Sequence, residues 1–222
     1  MDCEAGTSCS RSFGSGYACG DKKAPNMLQR FLRKCTTLCP THQITTETQK
    51  KIINEMKSLD FSKCSFHLPK RTLPVPTYSS DIYENDRIHC SIFGFRRAND
   101  VLPLHDHPDM YGFIRAIRGQ IRIDSYSWLN EDTFEVHAEP PVILEGNDVA
   151  MVAPHIGNIH EITALSDDAA FFDVLVPGYI DRICEYYRVV KGPNSEGICS
   201  VEPVDIAQNF MVAYPGNKIV YI

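Results

Sequence analysis

No stretch of about 18 or more apolar residues occurs in this 222-residue chain, so no segment reads as a membrane-spanning helix. There is no excess of basic charge either. With 22 Lys and Arg against 28 Asp and Glu the net charge is -6, which offers no broad surface to nucleic acid. The first residues, Met1-Asp2-Cys3-Glu4, lack the basic stretch and apolar run of a secretory leader. The nine cysteines are therefore expected as reduced thiols in a cytoplasmic protein, with the nucleus also open to it. Paired Cys-x-x-Cys spacing is missing too: Cys35 and Cys39 lie one helical turn apart, and Cys3, Cys9 and Cys19 fall in a polar stretch, so a zinc site built of cysteine alone is not expected. What is present, 43% hydrophobic and 23% charged residues, is enough for one sizeable core.

Residues 1–24 are rich in Gly, Ser and Cys without periodicity, and we expect a disordered tail there. Residues 25–222 then read as a single domain that opens with a helical segment over 25–60. Leu28, Phe31, Leu32 and Cys35 share one helical face, and Ile52, Ile53, Met56 and Leu59 repeat that spacing. Pro69, Pro74 and Pro76 predict an extended connection over 61–78. The pattern then changes to short β runs at 88–95, 113–117, 120–126, 133–138, 148–153, 158–164, 169–176 and 186–190, with turn residues such as Arg118-Gly119 and Glu145-Gly146-Asn147 between them. Ile121 and Ile123 alternate with Arg122 and Asp124. The count predicts a mainly β fold, a closed double-sheet barrel of the jelly-roll kind behind short N-terminal helices.

Leu102-Pro103-Leu104-His105-Asp106-His107-Pro108 holds two histidines flanking one residue, and Gly157-Asn158-Ile159-His160 supplies a third. A His-x-His pair on a strand puts both rings on one face, and neutral imidazole suits divalent first-row metals at neutral pH. His105, His107 and His160 on neighbouring strands could converge on one ion from one side and leave its other positions open, as catalysis requires. His155, five residues from His160, is a candidate for an alternative ligand or supporting donor, but the turn between them favours the surface. We read it, with His42, His67, His89 and His137, as a non-ligand.

The order and spacing of these residues resemble a known family. Pro-Leu-His-Asp-His-Pro at 103–108 is followed by Met110, Gly112 and Gly119. Gly-Asn-Ile-His at 157–160 comes next, then Asp173-Val174-Leu175 before Pro177 and Tyr179, then Tyr186-Tyr187-Arg188-Val189 and Tyr214-Pro215-Gly216. Together they resemble the thiol dioxygenases that comprise cysteamine (2-aminoethanethiol) dioxygenase and the plant cysteine oxidases, over roughly residues 86–218. The resemblance implies a cupin, or double-stranded β-helix, barrel. It also implies Fe(2+) held by three neutral histidines, because the glutamate that cupins place shortly after His-x-His is absent, the early Asp109 aside. By the same resemblance a substrate thiol and O2 react there to give a sulfinic acid. The substrates implied are cysteamine, the N-terminal cysteine of peptides and proteins, or both, with an oxygen-sensing role by analogy. Separately, we expect a monomeric chain.

Asp173 stands in the otherwise apolar run Ala169-Ala170-Phe171-Phe172-Asp173-Val174-Leu175-Val176, where a carboxylate needs a partner. Two readings stay open: a structural hydrogen bond to a backbone amide or to Arg188, or a catalytic carboxylate that orients a substrate ammonium or assists proton movement. Cys184 and Tyr186 are two apart and would share a strand face, within reach of a thioether crosslink of the kind seen in some thiol dioxygenases. That makes Tyr186 the second catalytic candidate. Tyr111 is a candidate pocket wall. Arg96 and Arg97 look like a turn rather than a carboxylate clamp, which favours a substrate with no nearby carboxylate. Two other functions remain: a non-enzymatic metal-binding cupin, and a cupin dioxygenase acting on a different substrate.

Overall fold

The computed structural model describes residues 26–41, 43–64, 75–179, 183–205 and 211–213. The expected tail over 1–24, His42, His67, and the Tyr214-Pro215-Gly216 end of the family pattern lie outside the described residues. Two helices form where periodicity placed them. In α1 (Met27–Leu38) Asn26 and Gln29 make a reciprocal capping box, and Leu28, Phe31, Leu32 and Cys35 are the buried face. In α2 (Thr46–Ser58) Thr45 caps the first turn, and Ile52 and Met56 are buried. A single 3-10 turn follows at Phe61–Lys63. None of the described helices is long and apolar enough to cross a membrane.

All eight predicted β runs are strands: β2 (His89–Phe95), β4 (Tyr111–Arg118), β5 (Gln120–Asn130), β6 (Glu135–Ala138), β8 (Val149–Val152), β9 (Ile159–Ala164), β10 (Ala170–Val176) and β11 (Tyr187–Lys191). Five more were not read from the pattern: β1 (Thr77–Glu84), β3 (Val101–His105), β7 (Val142–Glu145), β12 (Ile198–Pro203) and β13 (Met211–Ala213). The predicted connection over 61–78 thus ends in a strand. One sheet runs β13-β1-β2-β10-β4-β8; the other runs β11-β12-β6-β5-β9-β3, with β7 also on β5. Their inward faces meet in a core of Phe95, Ile114, Ala116 and Phe171 from the first sheet and Leu102, Ile121, Ile123 and Ile162 from the second. This is the double-stranded β-helix barrel of a cupin.

The outer face of the first sheet is covered by the helices. Phe172, Val174, Cys90, Ile92 and Phe113 pack with Phe31, Leu32, Ile52 and Met56 in one buried cluster, and the Phe31 and Phe172 rings meet edge to face at 5.8 Å. Arg115, on β4 beneath the helices, is buried, donates to the last carbonyls of α2 through Met56 and Leu59, and lies 4.7 Å over the Phe61 ring. That guanidinium satisfies orphan carbonyls at a helix end and carries the charge sign a helix C-terminus favours. At Gly94 an added Cβ would lie 2.2 Å from the buried Tyr78 ring, so any larger residue there would have to push that ring aside.

Candidate metal centre

A bulge in β3 creates the centre. Val101 and Leu102 pair with Thr163 and Ile162, but the next Cα partner of His160 is His105, so β3 carries one extra residue across from Glu161. Strict alternation from Leu102 would have kept Leu104 inward. The bulge, at Pro103, sends Leu104 to a separate outer cluster with Ile159 and Tyr187 and turns His105 in toward His160. His107 follows just past the strand end. All three histidines are buried.

One ligand atom from each of His105, His107 and His160 lies within 4.8 Å of the others, and the ring centroids are 4.9 Å (105–107), 4.5 Å (105–160) and 5.2 Å (107–160) apart. Nδ1–H of His105 donates to the Pro103 carbonyl at 2.7 Å, and Nδ1–H of His160 to the Asn158 carbonyl at 2.8 Å. Those bonds leave the Nε2 lone pairs for a metal. Nδ1 of His107 lies 2.5 Å from the Tyr179 hydroxyl. Burial pulls the pKa of His105 down to about 4; burial, and then the neighbouring His105, bring His160 down to about 3. Burial and the other imidazoles also hold His107 well below its usual value. Three neutral donors with lone pairs gathered in one place could hold a metal ion, and among the described residues no carboxylate joins the group.

Asp173 is on the inward face of β10, opposite Ser91 and Ile114. Burial raises its pKa to about 7 against the opposing pull of His89 and of the Val174 backbone amide. Its Oδ1 has no hydrogen-bond partner. Of the structural partners expected, the Val174 amide bears on Asp173, and Arg188 pairs instead with Glu202 on β12. The side chains of Cys184, Tyr186 and Tyr179 lie close enough to act on one another. Burial first, and then nearby Asp106, push the Cys184 thiol up to about 12; burial and Cys184 push the Tyr186 phenol to about 12. The Tyr186 ring stands 5.9 Å from that of His105.

A model of the PCO_ADO family matches residues 41–210. The chain belongs to that family. It is 32% identical over 148 residues to 2-aminoethanethiol dioxygenase of Mus musculus, covering 54% of this chain and 57% of that protein. It is 30% identical over 162 residues to plant cysteine oxidase 2 of Arabidopsis thaliana, covering 65% and 57%. The match thus spans little more than half of each relative. Among solved structures, oxalate oxidase in complex with glycolate aligns with a TM-score of 0.44 at 10% identity, over 58% of this chain and 65% of that one. The resemblance read from the histidine spacing is borne out at the level of family.

Sequence reasoning missed the residues that hold His105 and His107 in place. Asn158, buried, accepts the His107 amide through Oδ1 at 2.9 Å and donates through Nδ2 to the carbonyls of His107 at 2.9 Å and of Met110 and Ala153 at 3.3 Å. Asp106, between the two histidines, points the other way. It accepts the Glu185 amide at 2.9 Å and the Tyr187 hydroxyl at 3.1 Å, so it ties the ligand segment to the one that carries Cys184 and Tyr186. The signal for Asn158 was a polar residue beside an apolar strand; Asp106 gave none, since its partners lie about 80 residues on. Tyr111 needs correction as a pocket wall: it packs against the helix-covered cluster and lines an outer groove with Met151 and His155. His155 stands in that exposed hairpin, away from the three ligands. Arg96 and Arg97 form the expected turn, their amides donating to Asp100.

Proposed function

We propose that the chain is a non-haem ferrous thiol dioxygenase that converts a substrate thiol to a sulfinic acid, both atoms of O2 ending on sulfur. The carrying observation is a buried set of three neutral imidazoles with no carboxylate among them. Fe(2+) held by His105, His107 and His160 supplies the redox chemistry that brings O2 and sulfur together. Because the three ligands are neutral, they would leave the two positive charges of such an ion uncompensated by the protein, which would favour the thiolate form of a substrate thiol. An anionic sulfur substrate is the natural complement of such a site.

Asp173 orients the substrate's ammonium group, which gives its unpartnered Oδ1 a donor. Cysteamine and the N-terminal cysteine of a peptide present the same two-carbon thiol and amine, so one site without a carboxylate clamp takes either. Tyr179 fixes the tautomer of His107 by accepting from Nδ1–H. Tyr186 and Cys184 flank His105, and a thioether between them forms with loss of one hydrogen from each, O2 taking up the two electrons. The free Cys35, Cys39, Cys64, Cys90, Cys184 and Cys199 among the described residues suit the reducing cytoplasm or nucleus.

The test is anaerobic loading with ferrous iron, then addition of air and a peptide that begins with cysteine. Mass spectrometry should find two oxygen atoms gained on the cysteine sulfur. An unmodified peptide with metal still bound leaves a metal-binding module instead. Intact mass of the protein after aerobic turnover should fall by two hydrogens, and no such loss removes the crosslink.

A further inference from the structure

His89 was set aside as a non-ligand, yet it sits where an interior residue of β2 has no need to be polar. Along this strand His89, Ser91 and Phe93 alternate onto the inward face, as Phe171 and Asp173 do on β10; Phe93 and Phe171 stack there at 5.2 Å. Asp173 is directly opposite Ser91, and Leu175 opposite His89, which makes Asp173 the diagonal neighbour of His89 on one face. The His89 ring meets the Tyr179 ring at 5.4 Å, and Tyr179 in turn bonds His107. His89 therefore stands one aromatic ring away from the metal ligands.

Its two nitrogens have opposite fates. Nε2 lies 3.2 Å from Oδ1 of Asp81, a carboxylate that can only accept, so Nε2 carries a hydrogen, and Ser91 Oγ joins them at 3.0 Å from each. The Asp81 side chain is 65% exposed, so this end of the ring is anchored at the surface. Nδ1 is buried with no partner, and so is Oδ1 of Asp173. In the neutral ring Nδ1 is an acceptor. Two buried acceptors on neighbouring strands, both without a donor, call for a group that brings several N–H bonds at once.

We propose that His89 Nδ1 and Asp173 Oδ1 together are the receptor for a primary ammonium group of the substrate, each accepting one of its N–H bonds. This rests on the thiol dioxygenase reading and names what that site selects. The carboxylate supplies charge, which any amine cation satisfies; the imidazole adds a second directional acceptor, which only a group with at least two N–H bonds can use along with the first. The receptor therefore distinguishes a free primary amine from a tertiary one of equal charge. Nδ1 accepts only in the neutral ring, so a proton and the ammonium compete for it: burial disfavours the charged imidazole, while Asp81, Glu84 from β1 and Asp173 favour it.

Anaerobic calorimetry on the full-length, iron-loaded chain tests this without turnover, with cysteamine and N,N-dimethylcysteamine as probes. The second probe keeps the charge and has a single N–H. Wild type should bind cysteamine about tenfold more tightly, the worth of one hydrogen bond to a charged group. His89→Phe should bring the two within about threefold, chiefly by weakening cysteamine, with iron content and circular dichroism unchanged, and His89→Asn, which restores a polar acceptor near Nδ1, should recover part of the preference. Equal binding by wild type, no binding of either probe, or a His89→Phe variant that keeps the full preference overturns the proposal; a buried water would then be the partner of the two acceptors. Binding with the expected preference but no sulfinate on exposure to air leaves the receptor standing and removes the dioxygenase reading.

Discussion

On the inward face of β10 Phe171 stacks on Phe93, and two residues further Asp173 stands with an unpartnered oxygen. On β9 the same step runs from Ile162, in the apolar core, to His160, in the ligand set. One end of the barrel interior is thus closed with aromatic and branched side chains, and the other is lined with imidazoles and a carboxylate, on the same strands and the same faces. The apolar end gains from every buried methylene. The polar end buries groups that burial penalises: it keeps three histidines neutral and drives a carboxylate toward its protonated form. Rigidity made at one end is what allows an unfavourable constellation to persist at the other.

Substitutions at matched positions sharpen this contrast. The largest effect is expected for His160→Ala, which leaves two ligands: iron content should fall to a small fraction of wild type and sulfinate formation should vanish, as metal analysis and product mass spectrometry would show. Retained activity would discard the ligand set. Phe171→Ala, at the apolar end, should cost about 3–5 kcal/mol in denaturant unfolding, while protein that remains folded still binds iron. A site lost along with stability there would mean the two ends are not separable.

Asp173→Asn should keep iron, lower turnover by about a hundredfold, and make the metal-free chain more stable. The sign follows from the shift: the folded-state value near 7 lies above the unfolded 3.8, so the native state holds the proton more tightly and unfolding releases it. Stability from this group is full below 3.8 and declines as pH rises toward 7. The melting temperature of the variant should exceed that of wild type by several degrees at pH 8 and by very little near pH 4. Equal melting temperatures at pH 8 would show that the carboxylate is not strained by burial. The smallest effect is expected for Asn158→Ala, which removes the bonds to His107 and Met110 but no ligand. Iron affinity should weaken about tenfold to a hundredfold, measured by competition with a chelator.

The same contrast explains what could be read from the chain. The helices were legible because their apolar spacing matched their burial, with Leu28, Phe31, Leu32 and Cys35 all on the covered face. The three histidines were legible by residue type and spacing, a local property. Strand β3 was not, because Pro103 and the bulge break the alternation by which strands are recognised, and it is that break which turns His105 inward. Strand β1 was hidden by its serines and by a second register shift between Asp81 and Tyr83. Asp106 and Asn158 act through backbone groups some 50 to 80 residues away, contacts that no window of sequence contains. His89 was read as a non-ligand and stands outside the ligand set; the nitrogen it leaves unpaired shows only in the folded strands.

Arg115 has a consequence for how the molecule can be cut. Its charge tolerates burial through the Met56 and Leu59 carbonyls at the end of α2 and the Phe61 ring, together with Gly146 and Asn147 from the β7–β8 turn. A shortened chain that begins at β1 would strand this cation on an uncovered sheet and wet Phe113, Phe172 and Val174 beside it. Such a fragment should clump and precipitate, and anyone trimming the protein for crystals would do well to leave both helices on.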